Sequence, residues 1–337
     1  MIPFKKSILF GCLLLVINLG LTAHSGWSQS SPLIACDAGL ARWSDLSFSA
    51  ENILAAVDVH VHLGSLPETE VQTALPASPR GVPVQSSSPR VYSLSLNKSV
   101  DPIFRPVVTS SNRVWFDPQT GMVLGRIRLR RGKDDFQKKY RFTEQGVFRH
   151  RKEPKNKKEA TLSPEQWTDT KDTFYPYDPD HLGCAYITER SVLIYLVSAA
   201  ALTPNAESQS LCVFGLRRLH RVSLRAQGIH SLKVNYIEKD QQTETRQKGT
   251  VEALKIAIET RPMESSLNDS EDFSILGLHK DIAIFIDPIS GRPLQISGYI
   301  PGVGKTDLKL NEVRVGRGSR EKSQAHENSE SVKKRSD

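Results

Sequence analysis

The sequence predicts an α+β fold that is mainly β: a curved antiparallel sheet packed on one central helix. Three observations carry this. Apolar and polar residues alternate with period two over about ten short stretches. Turn residues separate many of these stretches, which favours antiparallel neighbours with one wet face. One stretch alone, Thr188–Leu202, is apolar at helical spacing, and a lone apolar helix must bury itself against a sheet.

The chain begins with Lys5 and Lys6, followed by an apolar run from Ser7 to Leu21 and the small residues Ala23, Ser25, Gly26 and Ser28. That order reads as a secretory leader over residues 1–28, cleaved on export. The apolar run is short for a membrane span and Asn18 interrupts it, so the mature chain is not expected to be an integral membrane protein. Leu33-Ile34-Ala35-Cys36 spells a lipid-attachment signal, although the polar stretch from His24 to Pro32 separates it from the apolar run; lipidation at Cys36 stays open. The remaining 29–318 is read as a single β-rich domain, with a long loop at 64–90 and a candidate sub-boundary at 150–185. Residues 319–337 are polar and read as a disordered tail.

The strands follow in order. Ala55–Leu63, Val91–Asn97, Met122–Arg130 and Lys138–Glu144 alternate in the first half. Leu219–Ala226, His230–Glu238, Val251–Glu259, Asp281–Asp287, Pro293–Ile300 and Asp307–Val315 alternate in the second. Between the halves lies the helix, which Thr188 can cap and Pro204 stops. Two stretches nearly repeat: Phe116–Leu124 (FDPQTGMVL) and Ile286–Leu294 (IDPISGRPL). In each, Asp accepts bonds from the backbone that follows, Pro presets φ, and Gly takes the left-handed conformation that closes the turn. A turn used twice explains every shared residue, and the pair is consistent with two similar hairpins in one sheet.

Charge gives little away. The net charge is +8; Lys5 and Lys6 leave with the leader, and Arg314–Asp337 holds seven basic against four acidic residues, so only about +3 remains on the folded part. Nucleic acid is therefore not an expected partner, and no stacking-aromatic strand motif accompanies the arginines. An anionic membrane surface or other cell-envelope component is the more natural one. Arg126, Arg128 and Arg130 share one strand face and form the first candidate ligand-binding group; a plain solvated face is the other reading. Trp167, Tyr175 and Tyr177, beside several carboxylates in the 172–180 stretch, form the second; aromatics that pin a loop over a sheet edge are the alternative. Asp58, His60 and His62 lie on one face of a strand, and the two histidines are candidate zinc ligands. Their spacing resembles the first-strand signature of metal-dependent amidohydrolases, but that family's β/α barrel needs many helices and this chain offers one. Pro301-Gly302-Val303-Gly304 fails the phosphate-loop spacing and reads as a hairpin turn. Of the cysteines left after the leader, Cys184 and Cys212 flank the helix; a disulfide between them and two small buried thiols are both open.

The order of elements from Thr188 to Val315, with Gly249–Ile256 and Ile284–Leu294, resembles secreted proteins of unknown function from Gram-negative bacteria. Those are similar in outline to the periplasmic lipoprotein-carrier fold, and the resemblance implies an incomplete barrel around the helix with a concave apolar surface. It carries no catalytic residues. The expectation is a non-catalytic protein, periplasmic or secreted, that needs no cofactor and binds an apolar or amphipathic ligand or a partner at the membrane surface. A structural or assembly factor acting through protein contacts is the alternative, and a metal-dependent hydrolase centred on His60 and His62 is a further one.

Overall fold

Fifteen strands form one sheet in the computed structural model, which describes residues 36–316 apart from 38, 52–54, 104–105, 133, 178–182, 201, 205–206 and 264–272. The leader and the tail expected at 319–337 lie outside the described residues. The first eight strands form a meander: β1 (Trp43–Glu51), β2 (Ala55–Pro67), β3 (Arg90–Pro102), β4 (Val108–Phe116), β5 (Val123–Arg131), β6 (Phe136–Thr143), β7 (Gly146–Glu153) and β8 (Asp169–Pro176). A second run follows: β9 (Ile187–Glu189), β10 (Gln209–Phe214), β11 (Leu219–Lys239), β12 (Glu244–Pro262), β13 (Ala283–Ile286), β14 (Pro293–Ile300) and β15 (Gly304–Val315).

The two runs join where the chain's outermost strands meet, β1 pairing antiparallel with β15 from Trp43–Val315 to Ser49–Lys309. The sheet thus runs from β8 at one edge to β9 at the other and is not a closed barrel. Pairing is antiparallel except at two places. β9 lies parallel to β10, and the far end of β11 curls round to run parallel to β15 over Ile237–Lys239. Arg292 secures that curl: its guanidinium is paired with both carboxylate oxygens of Glu238 (2.8 and 3.1 Å) and donates to the Tyr236 hydroxyl (2.9 Å).

Strand pleating sorts the side chains. Val57, Val59 and Val61 are buried on the inner face while Asp58, His60 and His62 are exposed on the outer one. A large core fills the inner face, and a smaller cluster of Val71, Leu75, Val91, Trp115 and Leu124 sits on the outer face. The outer cluster exists because the 64–90 stretch is not simply a loop. Gly64–Pro67 continues β2, and Glu68–Ala74 forms helix α1, with Glu68 and Glu70 in its first turn and Val71 turned inward. The 150–185 stretch likewise contains structure: the short helix α2 (Lys157–Ala160) and the edge strand β8.

The expected helix over Thr188–Leu202 is corrected. Thr188 lies in β9, Arg190–Val192 is a 3₁₀ turn, and regular helix runs only over Leu193–Ala199 (α3). Every residue of α3 is buried, so its composition is apolar on all sides and marks burial better than it marks helix ends. Both Asp-Pro turns press on it. At the first, the Tyr195 hydroxyl donates to Pro118 O (2.7 Å), and a Cβ added at Gly121 would meet Leu196 Cδ2 at 2.6 Å. At the second, a Cβ added at Gly291 would meet Ser198 O at 2.7 Å. The turns share one backbone pattern. In each the Asp amide donates to the carbonyl five residues on, the Gly amide donates back to the Asp carbonyl, and the Asp carboxylate caps the two intervening amides. Trp43 Nε1 completes the clamp by donating to Ser198 Oγ (3.2 Å). Cys184 and Cys212 are disulfide-bonded, with Cα atoms 5.8 Å apart and a sequence separation of 28. In the chain-entropy account a bridge of that span stabilises the fold by about 3–4 kcal/mol.

Candidate functional site

Along the inner face of β3, β4 and β5 the chemistry changes from one end of the strands to the other. Phe116 packs on Tyr195 of α3, ring centroids 4.9 Å apart, with Leu94 and Val114 in the same core. Farther along, the same face carries Lys98 on β3, Asn112 and Ser110 on β4, and Arg128 and Arg130 on β5. Beyond the cover of α3 a cleft of about 860 Å³ opens there. Its far wall comes from the second half of the chain: the turn around Ser274–Gly277 and the β14–β15 tip at Ile300–Val303. Arg190, in the 3₁₀ turn, closes the floor.

Four cations therefore face one cleft, and among the described residues that line it none is an aspartate or glutamate. Lys98 reaches across to donate to Leu276 O (2.7 Å), and Arg190 donates to Ser274 Oγ (3.1 Å). Arg128 lies over the Phe136 ring at 5.3 Å, and among the described residues it has no hydrogen-bond acceptor. Crowding has the expected electrostatic result. Burial, and then the neighbouring Arg128 and Arg130, push the Lys98 ammonium down to about 8. Burial and the nearby Arg190 and Arg126 bring Arg128 down to about 10. Next to the cleft, Lys138 on β6 is pushed down to about 7 by burial and by Arg151, Arg128 and Arg149. Like charges held together out of water raise one another's energy, and an anion placed among them would relieve it.

Beneath these groups, Arg126 is fully buried, stacked at 4.0 Å on Tyr140 and bonded to Glu189 Oε1 at 2.5 Å. Glu189 also accepts from the Ser191 amide (2.7 Å), and Arg190 lies 3.5 Å from the same carboxylate. Burial alone would raise the Glu189 carboxyl, but Arg126 and Arg190 hold it below its ordinary value. One carboxylate thus serves two buried guanidinium groups and fixes the geometry of the floor.

The structure separates the residues singled out in the sequence. Arg128 and Arg130 face the cleft, while Arg126, on the same strand face, is sealed below it rather than solvated. Trp167 is buried elsewhere, donating from Nε1 to Glu159 O (2.9 Å) with Arg131 stacked on it at 4.6 Å. Tyr175 lies in β8, 5.8 Å from the Phe214 ring and under Arg149, and Tyr177 packs against the core. These aromatics do not converge on one site. His60 Nδ1 pairs with Ser47 Oγ (2.9 Å) and His62 Nδ1 with Asp45 Oδ1 (2.7 Å) on the exposed outer face. Among the described residues no group of three or more His, Cys, Asp and Glu side chains is placed to hold a metal. Cys36 packs against the core beside the first Asp-Pro turn, where its amide donates to Gln119 O (3.2 Å), and burial with the nearby Asp117 pushes its thiol up to about 12. Lys98 and Arg190 were not singled out from the sequence; each is an isolated cation there, and only the fold brings them to Arg128.

Among the described residues no helix is long and apolar enough to cross a membrane. No family model matches the chain, and no curated protein does. Among solved structures the chain is similar to a β-barrel-like protein of domain of unknown function DUF1849 from Brucella abortus, with a TM-score of 0.39 and 10% identity over 81% of this chain and 97% of that one. A likeness of that size carries no argument about ligand or activity.

Proposed function

We propose that this is a non-catalytic binding protein of the cell envelope, exported by its leader, whose cleft holds an amphipathic anion. The observation that carries this reading is the cleft's lining: Lys98, Arg128, Arg130 and Arg190 on one side of its chemistry, Leu96, Val100, Val108 and Ile275 on the other, and no carboxylate among the described residues. Fixed cations and hydroxyl or amide donors suit an anionic head, and the aliphatic wall suits a hydrocarbon part. The half-barrel resemblance of the sequence supports the same reading.

The test is displacement of a fluorescent fatty acid whose emission rises in apolar surroundings. One site per chain is expected. An unlabelled fatty acid should compete better than the alcohol of equal length, and Arg128→Gln and Lys98→Gln should each weaken binding by roughly tenfold or more, the scale of a lost charge-assisted hydrogen bond. Equal competition by acid and alcohol, together with unaltered binding in both variants, would remove the cleft from the account.

A further inference from the structure

Seven large apolar side chains are conspicuously exposed among the described residues, and three of them gather at two neighbouring hairpin tips. Ile103 (59% exposed) and Val107 (46%) belong to the β3–β4 connection, and Tyr299 (41%) sits near the end of β14, beside the β14–β15 tip. Single exposed apolar residues are ordinary, but these two tips border the same opening. Pro102, Ile103 and Val108 line the cleft from one side, and Ile300, Pro301 and Val303 from the other. Behind the tips stand the cations of the cleft, and Lys280 and Lys305 are exposed on the flank of the second tip. Among the described residues the carboxylates nearby, Asp101 and Asp281, are exposed as well and fewer in number.

We propose that this rim docks on an anionic lipid bilayer, with Ile103 and Val107 entering the interfacial layer and the cleft mouth facing the membrane. The proposal rests on the cleft reading but is separable from it. Apolar tips supply burial, and a tyrosine at the same level is an amphipathic anchor of the kind found at membrane surfaces. The cations supply attraction to acidic headgroups, each basic group near such a surface contributing favourably. An orientation with the mouth on the bilayer also gives an amphiphile a route into the cleft that does not cross water.

The experiment is flotation of the full chain with vesicles of phosphatidylcholine alone or mixed with phosphatidylglycerol. Alongside it, the soluble probe dodecyl phosphate, below its micelle concentration, is bound to the same preparations. Wild type should float with the anionic vesicles and far less with the neutral ones. Val107→Asp and Tyr299→Asp, on the rim but outside the cleft lining, should each lower partitioning by about tenfold, the scale of an apolar side chain kept in water, while dodecyl phosphate binding stays unchanged. Val107→Ser serves as a milder variant at a position exposed enough to leave folding intact. Flotation unaffected by all three variants, or wild type that binds dodecyl phosphate but ignores both vesicles, overturns the docking proposal and leaves the cleft standing. Flotation that the variants abolish, without dodecyl phosphate binding, supports the docking and overturns the cleft.

Discussion

Three glycines at left-handed positions form a graded test of how the two Asp-Pro turns clamp α3. Gly302 (φ +77°) has nothing within 4 Å of an added Cβ. Gly121 (φ +71°) would place that atom 2.6 Å from Leu196 Cδ2. Gly291 (φ +65°) would place it 2.7 Å from Ser198 O and 3.1 Å from Leu40 O. Alanine at any of them bears the left-handed penalty of about 1–2 kcal/mol. At Gly302 nothing else is added. At Gly121 a leucine methyl must swing aside, adding about 0.5–1.5 kcal/mol. At Gly291 the obstacles are backbone carbonyls that cannot turn away without shifting the helix or the turn, adding about 1–3 kcal/mol of overpacking strain. Urea unfolding followed by the fluorescence of the buried Trp43, Trp115 and Trp167 reads the differences as midpoint shifts at constant slope. The expected order of loss is Gly302→Ala, then Gly121→Ala, then Gly291→Ala, with about 1–3 kcal/mol between the first and last. Equal losses at all three would mean that only backbone conformation is felt and that the turns do not bear on α3.

Further outcomes follow from the buried charges. Glu189→Gln keeps the shape but leaves Arg126 and Arg190 without their carboxylate, and should cost about 3–5 kcal/mol in the same unfolding assay, the scale of a broken buried pair; a loss under 1 kcal/mol would show the floor to be open to water. Lys98 sets a pH signature with opposite signs. Its folded value near 8 lies below the roughly 10.4 of an unfolded lysine. Between those values the unfolded chain holds more protons, so the stability of the unliganded protein rises with pH there, while affinity for an anion falls as Lys98 loses its charge. Titration of both from pH 7 to pH 10 should show the trends crossing, and Lys98→Gln should flatten each of them. Cys36, packed against the core with its thiol pushed up to about 12, should resist alkylation in the folded protein and label fully in urea; rapid labelling of the native chain would place it at the surface.

Much of the sheet was legible because half-buried strands alternate. The valines of β2 and the two Asp-Pro turns announce themselves in this way. Other elements hide for identifiable reasons. β4 opens with Val-Thr-Ser-Ser-Asn, whose inward positions Ser110 and Asn112 are polar because they line the cleft. β8 is an edge strand with four exposed residues at its start, so it reads as a charged loop. α1 is too short for a period to show, and only Val71 and Leu75 betray the face it covers. α3 is apolar on every side, which conceals its ends. The site was half visible: Arg128 and Arg130 share a face by spacing alone, but Lys98 and Arg190 join them only through the pairing of β3 with β4 and the turn before α3. The lack of acids among the described residues of the cleft is a three-dimensional property that no local window displays.

The central claim is that the cleft is a binding site for an amphipathic anion. Native mass spectrometry of the full chain purified from the cells that express it tests this most directly. A leader-free polypeptide carrying one lipid-sized adduct is expected, the adduct being absent from the Lys98→Gln, Arg128→Gln double variant. A bare polypeptide in both, still bare after incubation with excess anionic lipid, would contradict it.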